Sequence, residues 1–292
     1  MAAWLDELNP EQRRAVMHPA GPLLIIAGAG SGKTKTLACR VAWLIQQGVS
    51  PDRILLLTFT RRAAQEMVQR ARQLTGQAAA GQVWGGTFHS VANRLLRQYG
   101  RALGLPPEFT VMDQSDAADL MNLIRSDLGH DRAKRRFPQK QTLAALYSRM
   151  VNGRTKLLDV TRRHFPWCED SLDGIREVFE GYTRRKREQN VLDYDDLLLY
   201  WNALCAVPGV GETLAGRFDH ILVDEYQDTN TIQAEILQGM RRTRKDLTVV
   251  GDDAQSIYSF RSASVRNILD FPAQFPGAEV ITLEQNYRST QP

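Results

Sequence analysis

The chain has 292 residues, 43% hydrophobic and 24% charged, with a formal net charge of +4. That length suits one large domain or two ordinary ones. No apolar run approaches the roughly 18 residues of a membrane span, and Met1-Ala-Ala-Trp-Leu-Asp-Glu7 lacks the basic-then-apolar order of a secretory leader. Cys39, Cys168 and Cys205 are odd in number and widely spaced. They make neither a disulfide framework nor a Cys-x-x-Cys pair, which fits a reducing, cytoplasmic setting; the lack of a span-length apolar run sets the expectation of no membrane partner.

Five short apolar runs follow one another along the chain: Leu23–Ala27, Ile54–Thr58, His220–Asp224, Leu247–Gly251 and Glu279–Leu283. None alternates cleanly with polar residues, so each is predicted as a strand buried on both faces of a parallel sheet. Periodic stretches such as Lys35–Gln47 and Ala63–Leu74 are predicted as helices between them, which gives an α/β layout.

The middle of the chain differs. From about Leu105 to Asn190 no comparable strand run occurs, and Ala117–Leu128 and Thr142–Val151 read as helices punctuated by prolines. From Asp131 to Asn190 there are 15 Lys and Arg against 8 Asp and Glu. The expectation is an α/β domain formed by residues 1–104 and 191–292, interrupted by a mostly helical insertion at 105–190. The positive excess has two readings, a nucleic-acid surface or a solvated helical face.

In parallel α/β sheets, ligands gather beyond the carboxyl ends of the strands, and polar motifs follow the apolar runs at those ends. After the first run comes Ala27-Gly-Ala-Gly-Ser-Gly-Lys-Thr34, a phosphate loop in relaxed form. Backbone N–H groups from Ala29, Gly30, Ser31 and Gly32 can curl around phosphates, Lys33 can reach the β and γ phosphates, and the Thr34 hydroxyl can bind Mg²⁺. After the third run comes Asp224-Glu-Tyr-Gln-Asp228. There Asp224 suits Mg²⁺ and Glu225 can polarise the attacking water; the bland alternative is a helix cap. In Gly251–Arg261, Gln255 can sense the γ-phosphate, while Tyr258, Phe260 and Arg261 offer stacking groups or, for the rings, core residues. Thr58-Phe-Thr-Arg61 and Gly86-Thr-Phe-His-Ser90 mix hydroxyls, rings and cations. That mixture suits single-stranded DNA through Thr58, Phe59, Thr60, Arg61 and His89, with plain core as the rival for Phe59 and Phe88. Arg288 in Gln285-Asn-Tyr-Arg-Ser289 follows the last run and can offset charge on the γ-phosphate.

Taken in this order, the motifs resemble the UvrD/Rep/PcrA family of superfamily 1 DNA helicases, from Leu8 to Thr290. The resemblance implies a RecA-like phosphate-loop domain with an inserted helical domain. It implies that Gln12, in Leu8-Asn-Pro-Glu-Gln12, reads the adenine edge, that Tyr287 stacks on the ring, and that Lys35 stands where relatives often place an Arg against the base. Asp193-Tyr-Asp-Asp-Leu197 resembles a further family signature. Two motifs depart. Thr60-Arg-Arg-Ala-Ala64 stands for the commoner Thr-Asn-Lys-Ala-Ala, and Tyr258-Ser-Phe-Arg-Ser262 for Tyr-Arg-Trp-Arg-Gly, which removes a tryptophan and a cation from the DNA-binding set.

The family implies ATP and Mg²⁺ as cofactors, single-stranded DNA and duplex–single-strand junctions as partners, and 3′-to-5′ movement. It also implies a second RecA-like domain in cis, absent up to Pro292, so the expectation is the N-terminal portion of an ATP-dependent DNA helicase. A different class stays open: an ATP-binding, DNA-binding or regulatory module without useful turnover.

Overall fold

The computed structural model describes residues 3–76, 78–131, 137–242, 244, 246–252 and 266–285. By contacts the chain divides into two compact units: one comprises Met1–Val91, Cys205–Asn230 and Ala234–Pro292, the other Ala92–Leu204 and Thr231–Gln233. The insertion expected at 105–190 lies inside the second.

The strands are β1 (Leu23–Ala27), β2 (Ile54–Leu57), β3 (Trp84–Gly86), β4 (Thr110–Val111), β5 (Val191–Leu192), β6 (His220–Val223), β7 (Leu247–Gly251) and β8 (Glu279–Leu283). In the first unit six of them form one sheet in the order β3-β2-β6-β7-β1-β8, with every described pairing parallel. The order places β6, β7 and β1 side by side, in register at Val223↔Val249 and Ile26↔Gly251. Strands β2 and β7 are buried along their whole length, as an internal parallel strand requires. The outer strand β8 departs from the expectation of burial on both faces: its residues alternate and Val280 is exposed, because an edge strand has a covered and an open face.

Helix α2 (Lys33–Gln46) packs on both α1 (Pro10–Met17) and α3 (Arg61–Thr75), and the layer meets the sheet through Val16, Leu37, Val41, Leu56 and Met67. Arg40 is buried at the centre of this layer. Its guanidinium donates to the carbonyls of Ala15, Val16 and His18 at the end of α1, and to the Thr248 hydroxyl on β7. Those carbonyls would otherwise be orphaned at a helix end, so one side chain ties α1, α2 and the sheet together.

Helices α4 (Phe88–Tyr99) and α9 (Tyr194–Ala206) run across the points of division. The second unit is built on α5 (Gln114–Asp127), α6 (Lys140–Gly153), α7 (Leu157–His164) and α8 (Leu172–Gln189), which enclose Met121, Leu143, Leu146, Cys168, Ile175, Val178 and Tyr182. Strands β4 and β5 add one short parallel pairing that the sequence pattern does not show. The chain continues in α10 (Val210–Arg217), α11 (Thr231–Met240) and α12 (Arg266–Gln274).

The Asp193–Leu197 signature forms a reciprocal cap at the start of α9. Asp196 N donates to Asp193 Oδ1 at 2.8 Å, and Asp193 N donates to Asp196 Oδ2 at 3.0 Å. Lys186 neutralises both acids at 2.7 and 2.6 Å, over the Tyr182 ring. The basic run Arg184–Arg187 is therefore not a uniform solvated or DNA-facing surface: Lys186 is 3% exposed, while Arg184 and Arg187 are exposed.

Removing one partner of a buried ion pair strands the other charges, at a cost of about 3–5 kcal/mol. Lys186→Met should therefore lower the unfolding free energy by about that amount in a denaturant titration, whereas Arg184→Ala should stay within about 0.5 kcal/mol. Asp195 behaves oppositely. Burial, then neighbouring Asp193, pushes its acid up to about 6, against hydrogen bonds from Asn152 and Ser148. Its folded value lies above the unfolded one, so its stabilising contribution is full below the ordinary carboxylate value near 3.8 and is lost as pH rises through about 6. Both hydrogen bonds end on Oδ1, which asparagine keeps. Asp195→Asn should stabilise the protein at pH 8 by on the order of 1–3 kcal/mol, with the gain gone near pH 4 in parallel denaturant titrations.

Candidate nucleotide and DNA site

The loop between β1 and α2 turns on two glycines in the left-handed region, Gly30 and Gly32, each with φ near +84°. The Ser31 hydroxyl donates to Gly28 O at 2.8 Å, closing the turn. Gln12 supports it from outside. Asn9 and Gln12 form a capping box at the start of α1, and the buried Gln12 amide donates from Nε2 to Ser31 O at 3.0 Å. A Cβ on Gly32 would lie 2.6 Å from that Nε2. The residue expected to read adenine thus also braces the phosphate loop. Thr34 is exposed in the first turn of α2, and Lys35 meets Glu7 at 3.2 Å.

The neighbouring strand ends bring acids to Lys33. Its ammonium lies 3.4 Å from Glu225 Oε2, beyond β6, and 3.7 Å from Asp252 Oδ2, beyond β7. Glu225 has φ +51°, ψ +47°. The other described non-glycine residues with positive φ, Arg154 and Asn190, are helix C-caps, where that conformation is ordinary. Glu225 instead follows a strand, and such strain collects at functional positions. Asp224 is buried and its Oδ1 has no hydrogen-bond partner among the described residues. Burial, with Glu225 alongside, pushes its acid up to about 6 against the pull of Lys33. That buried carboxylate oxygen, with the Thr34 hydroxyl in the first turn of α2, fits the oxygen ligands that Mg²⁺ takes.

The other half of the same edge lies beyond β2 and β3. Phe59 is 54% exposed, and Thr60 and Arg61 are exposed beside it at the start of α3. Thr60 caps that helix by accepting from Ala63 N. Thr58 is buried and its hydroxyl donates to Thr60 O at 2.7 Å, so its oxygen shapes the turn. His89 is half-buried in the first turn of α4, with burial lowering its pKa, whereas Phe88 is core. The rival readings of the two rings therefore separate: Phe59 is open and Phe88 is packed.

The UvrD/REP helicase N-terminal domain family matches residues 8–276. The chain belongs to this family. It is 43% identical to the ATP-dependent DNA helicase UvrD1 of Mycobacterium tuberculosis, over 98% of this chain and 38% of that protein. It is 40% identical to UvrD1 of Mycobacterium leprae, over the same shares. With the ATP-dependent DNA helicase PcrA of Staphylococcus aureus the identity is 38%, over 100% of this chain and 39% of the relative. The chain thus spans under two fifths of the length of these curated relatives. The six-stranded parallel sheet fits a RecA-like helicase domain. Among the described residues no helix is long and apolar enough to cross a membrane.

Six of the family-motif residues singled out in sequence, Gln255, Tyr258, Phe260, Arg261, Tyr287 and Arg288, lie outside the described residues. Two others that the sequence reading did not separate from their motifs stand inside the site. Asp252 is 1% exposed near Lys33, and Gln227 donates to Glu225 Oε2 at 2.6 Å. The available signal for Asp252 was its place directly after a strand run, the same signal that marked Asp224.

Gly32→Ala would force a side chain into the left-handed region, at a cost of about 1–2 kcal/mol, and would drive a methyl into the Gln12 amide. We expect a melting temperature lower by roughly 2–8 °C and ATP affinity lower by about tenfold or more. Gly28→Ala, whose added carbon meets nothing within 4 Å among the described residues, should leave the melting temperature in place.

Proposed function

We propose that this chain is the N-terminal portion of an ATP-dependent DNA helicase or translocase. The reading couples ATP hydrolysis to movement on single-stranded DNA, 3′ to 5′, and engages duplex–single-strand junctions. The observation that carries it is the convergence of Lys33, Asp224 and Glu225 at the ends of neighbouring parallel strands, with Lys33 3.4 Å from Glu225. Names of the relatives support the same activity.

In this reading the phosphate-loop amides of Ala29–Gly32 and the Lys33 ammonium hold the β and γ phosphates. Asp224 and Thr34 hold Mg²⁺, which supplies charge neutralisation of the phosphate oxygens. Glu225 orients a water and takes its proton as the water oxygen bonds to the γ-phosphorus. The bond from that phosphorus to the β–γ bridging oxygen breaks, leaving ADP and phosphate. Gln255 and Arg288 sense and offset charge on the γ-phosphate; Gln12, Lys35 and Tyr287 hold the base. Phe59, Thr60, Arg61 and His89, with Tyr258, Phe260 and Arg261, form the DNA face, and Thr58 sets its turn. The motor domain is 1–104 with 191–292, and the helical insertion 105–190 adds DNA contacts. Unwinding further requires a second RecA-like domain in cis.

The test is ATP binding and single-turnover hydrolysis, with and without single-stranded DNA. Lys33→Ala should lose productive ATP use. Glu225→Gln should keep ATP affinity within about threefold while hydrolysis falls by about 10²–10⁴, the usual worth of a positioned base. If Glu225→Gln loses affinity and rate alike, Glu225 is not the base. ATP binding with no hydrolysis above the Lys33→Ala background would favour a binding or regulatory module instead.

A further inference from the structure

The Glu225 carboxylate has a second partner besides Lys33. Gln227 lies two residues on, in the short 3-10 turn Tyr226–Asp228, and is 2% exposed. Its Nε2 donates to Glu225 Oε2 at 2.6 Å, and its Oε1 accepts from the backbone N–H of Asp252 at 3.1 Å. These contacts fix which way the amide faces, because an ionised carboxylate only accepts and a backbone N–H only donates. The turn beneath it is packed and hydrogen-bonded: the buried Tyr226 ring meets Phe271 edge-on, and the Thr229 hydroxyl donates to Tyr226 O at 2.6 Å. Gly251 leaves room for the amide, since a Cβ there would stand 3.1 Å from Gln227 Oε1.

Lys33 and Gln227 both reach the same oxygen of Glu225, at 3.4 and 2.6 Å. Lys33 alone would draw the carboxylate toward the phosphate-binding ammonium. Gln227 holds the same oxygen by a shorter bond, from a side chain anchored to the backbone of Asp252, the residue after β7. The Oε1 atom of Glu225 has no partner among the described residues. We propose that Gln227 is a positioning residue that holds the Glu225 carboxylate by Oε2, ties it to the end of β7, and leaves Oε1 to face the attacking water. This rests on the reading of Glu225 as the hydrolytic base.

The experiment is a double-mutant cycle in the 292-residue chain. ATP affinity and single-turnover hydrolysis are measured for Gln227→Met, Gln227→Glu, Glu225→Gln and the two Gln227 changes combined with Glu225→Gln. Gln227→Glu keeps the acceptor for Asp252 N–H but replaces the donor with a second carboxylate, so it decides the matter even if Gln227→Met folds poorly. We expect hydrolysis lower by roughly 10-fold or more in each Gln227 single variant with ATP affinity within about threefold. In the Glu225→Gln background the same changes should cost less than about twofold, because a residue acting through Glu225 has nothing left to position. An equal loss in both backgrounds, affinity falling together with rate, or single variants that turn over like the unsubstituted chain would overturn the proposal and leave Gln227 an ordinary buried strut. Failure of the underlying reading shows separately, as normal hydrolysis by Glu225→Gln itself, and the proposal then falls with it.

Discussion

The parallel pairing of β6, β7 and β1 is the constraint on which the candidate site depends. Parallel strands end at the same edge, so whatever follows each strand is delivered to one place. The registers Val223↔Val249 and Ile26↔Gly251 bring the segments after the three strands together, and Lys33 comes within 3.4 Å of Glu225 and 3.7 Å of Asp252 across 192 or more residues of sequence. A slip of one residue would turn each side chain to the opposite face. Complete burial of β2 and β7, and near-complete burial of β1 and β6, makes such a slip expensive.

Free energy is held in reserve at that edge rather than minimised there. Gly30 and Gly32 take left-handed backbone, Glu225 takes it without being glycine, and Asp224 keeps a buried oxygen unpartnered among the described residues. The glycines take that backbone without strain; the Glu225 backbone and the Asp224 oxygen are each unfavourable alone, and folded chains keep such features where the surroundings over-determine them. Here the surroundings are specific. Gln12 braces the loop through Ser31 O, and Arg40 satisfies three carbonyls at the end of the helix that carries Gln12. The strain therefore rests on a buried polar framework that runs from α1 through α2 to β7.

Most of this was legible because burial on both faces writes a continuous apolar run, and all five runs read as strands are strands in the sheet. Strand β3 was not, since Trp84-Gly-Gly86 is three residues long with two glycines. The β4–β5 pairing was hidden for the same reason of length: two residues on each side carry no period. Charge counting located the basic segment but not the disposition of its members. Lys186 sits among three basic neighbours in sequence and yet points inward, because Asp193 and Asp196 arrive from the start of the next helix. Motif reading likewise named Glu225 and Asp224 but could not show that Gln227 lies between Glu225 and β7, since that depends on a strand neighbour 25 residues away. The hydroxyl of Thr58 and the ring of Phe59 are adjacent in sequence and opposite in exposure, which only the turn after β2 decides.

In the proposed function, strand order also sets how the candidate nucleotide and DNA groups would communicate. The candidate nucleotide groups follow β6, β7 and β1, while Phe59, Arg61 and His89 follow β2 and β3; the two sets meet where β2 pairs with β6. At that seam Asp224 N donates to Leu57 O at 2.9 Å, and Thr58 N donates to Gly86 O at 3.0 Å. A displacement of Asp224 is thus one hydrogen bond from the residue before Thr58, and Thr58 is one hydrogen bond from the segment that leads to His89. Strands buried on both faces and close-packed deform little. In that proposed reading, coupling across the seam would be expressed in the turns beyond the strands, where the Thr58 hydroxyl locks to Thr60 O and Thr60 caps α3. Contiguity of this kind is a necessary condition for coupling, and energetic coupling itself requires that both ligands bias the same element. The Thr58–Thr60 turn is the element that meets both requirements of position: it adjoins the Asp224 backbone on one side and carries the exposed Phe59 ring on the other.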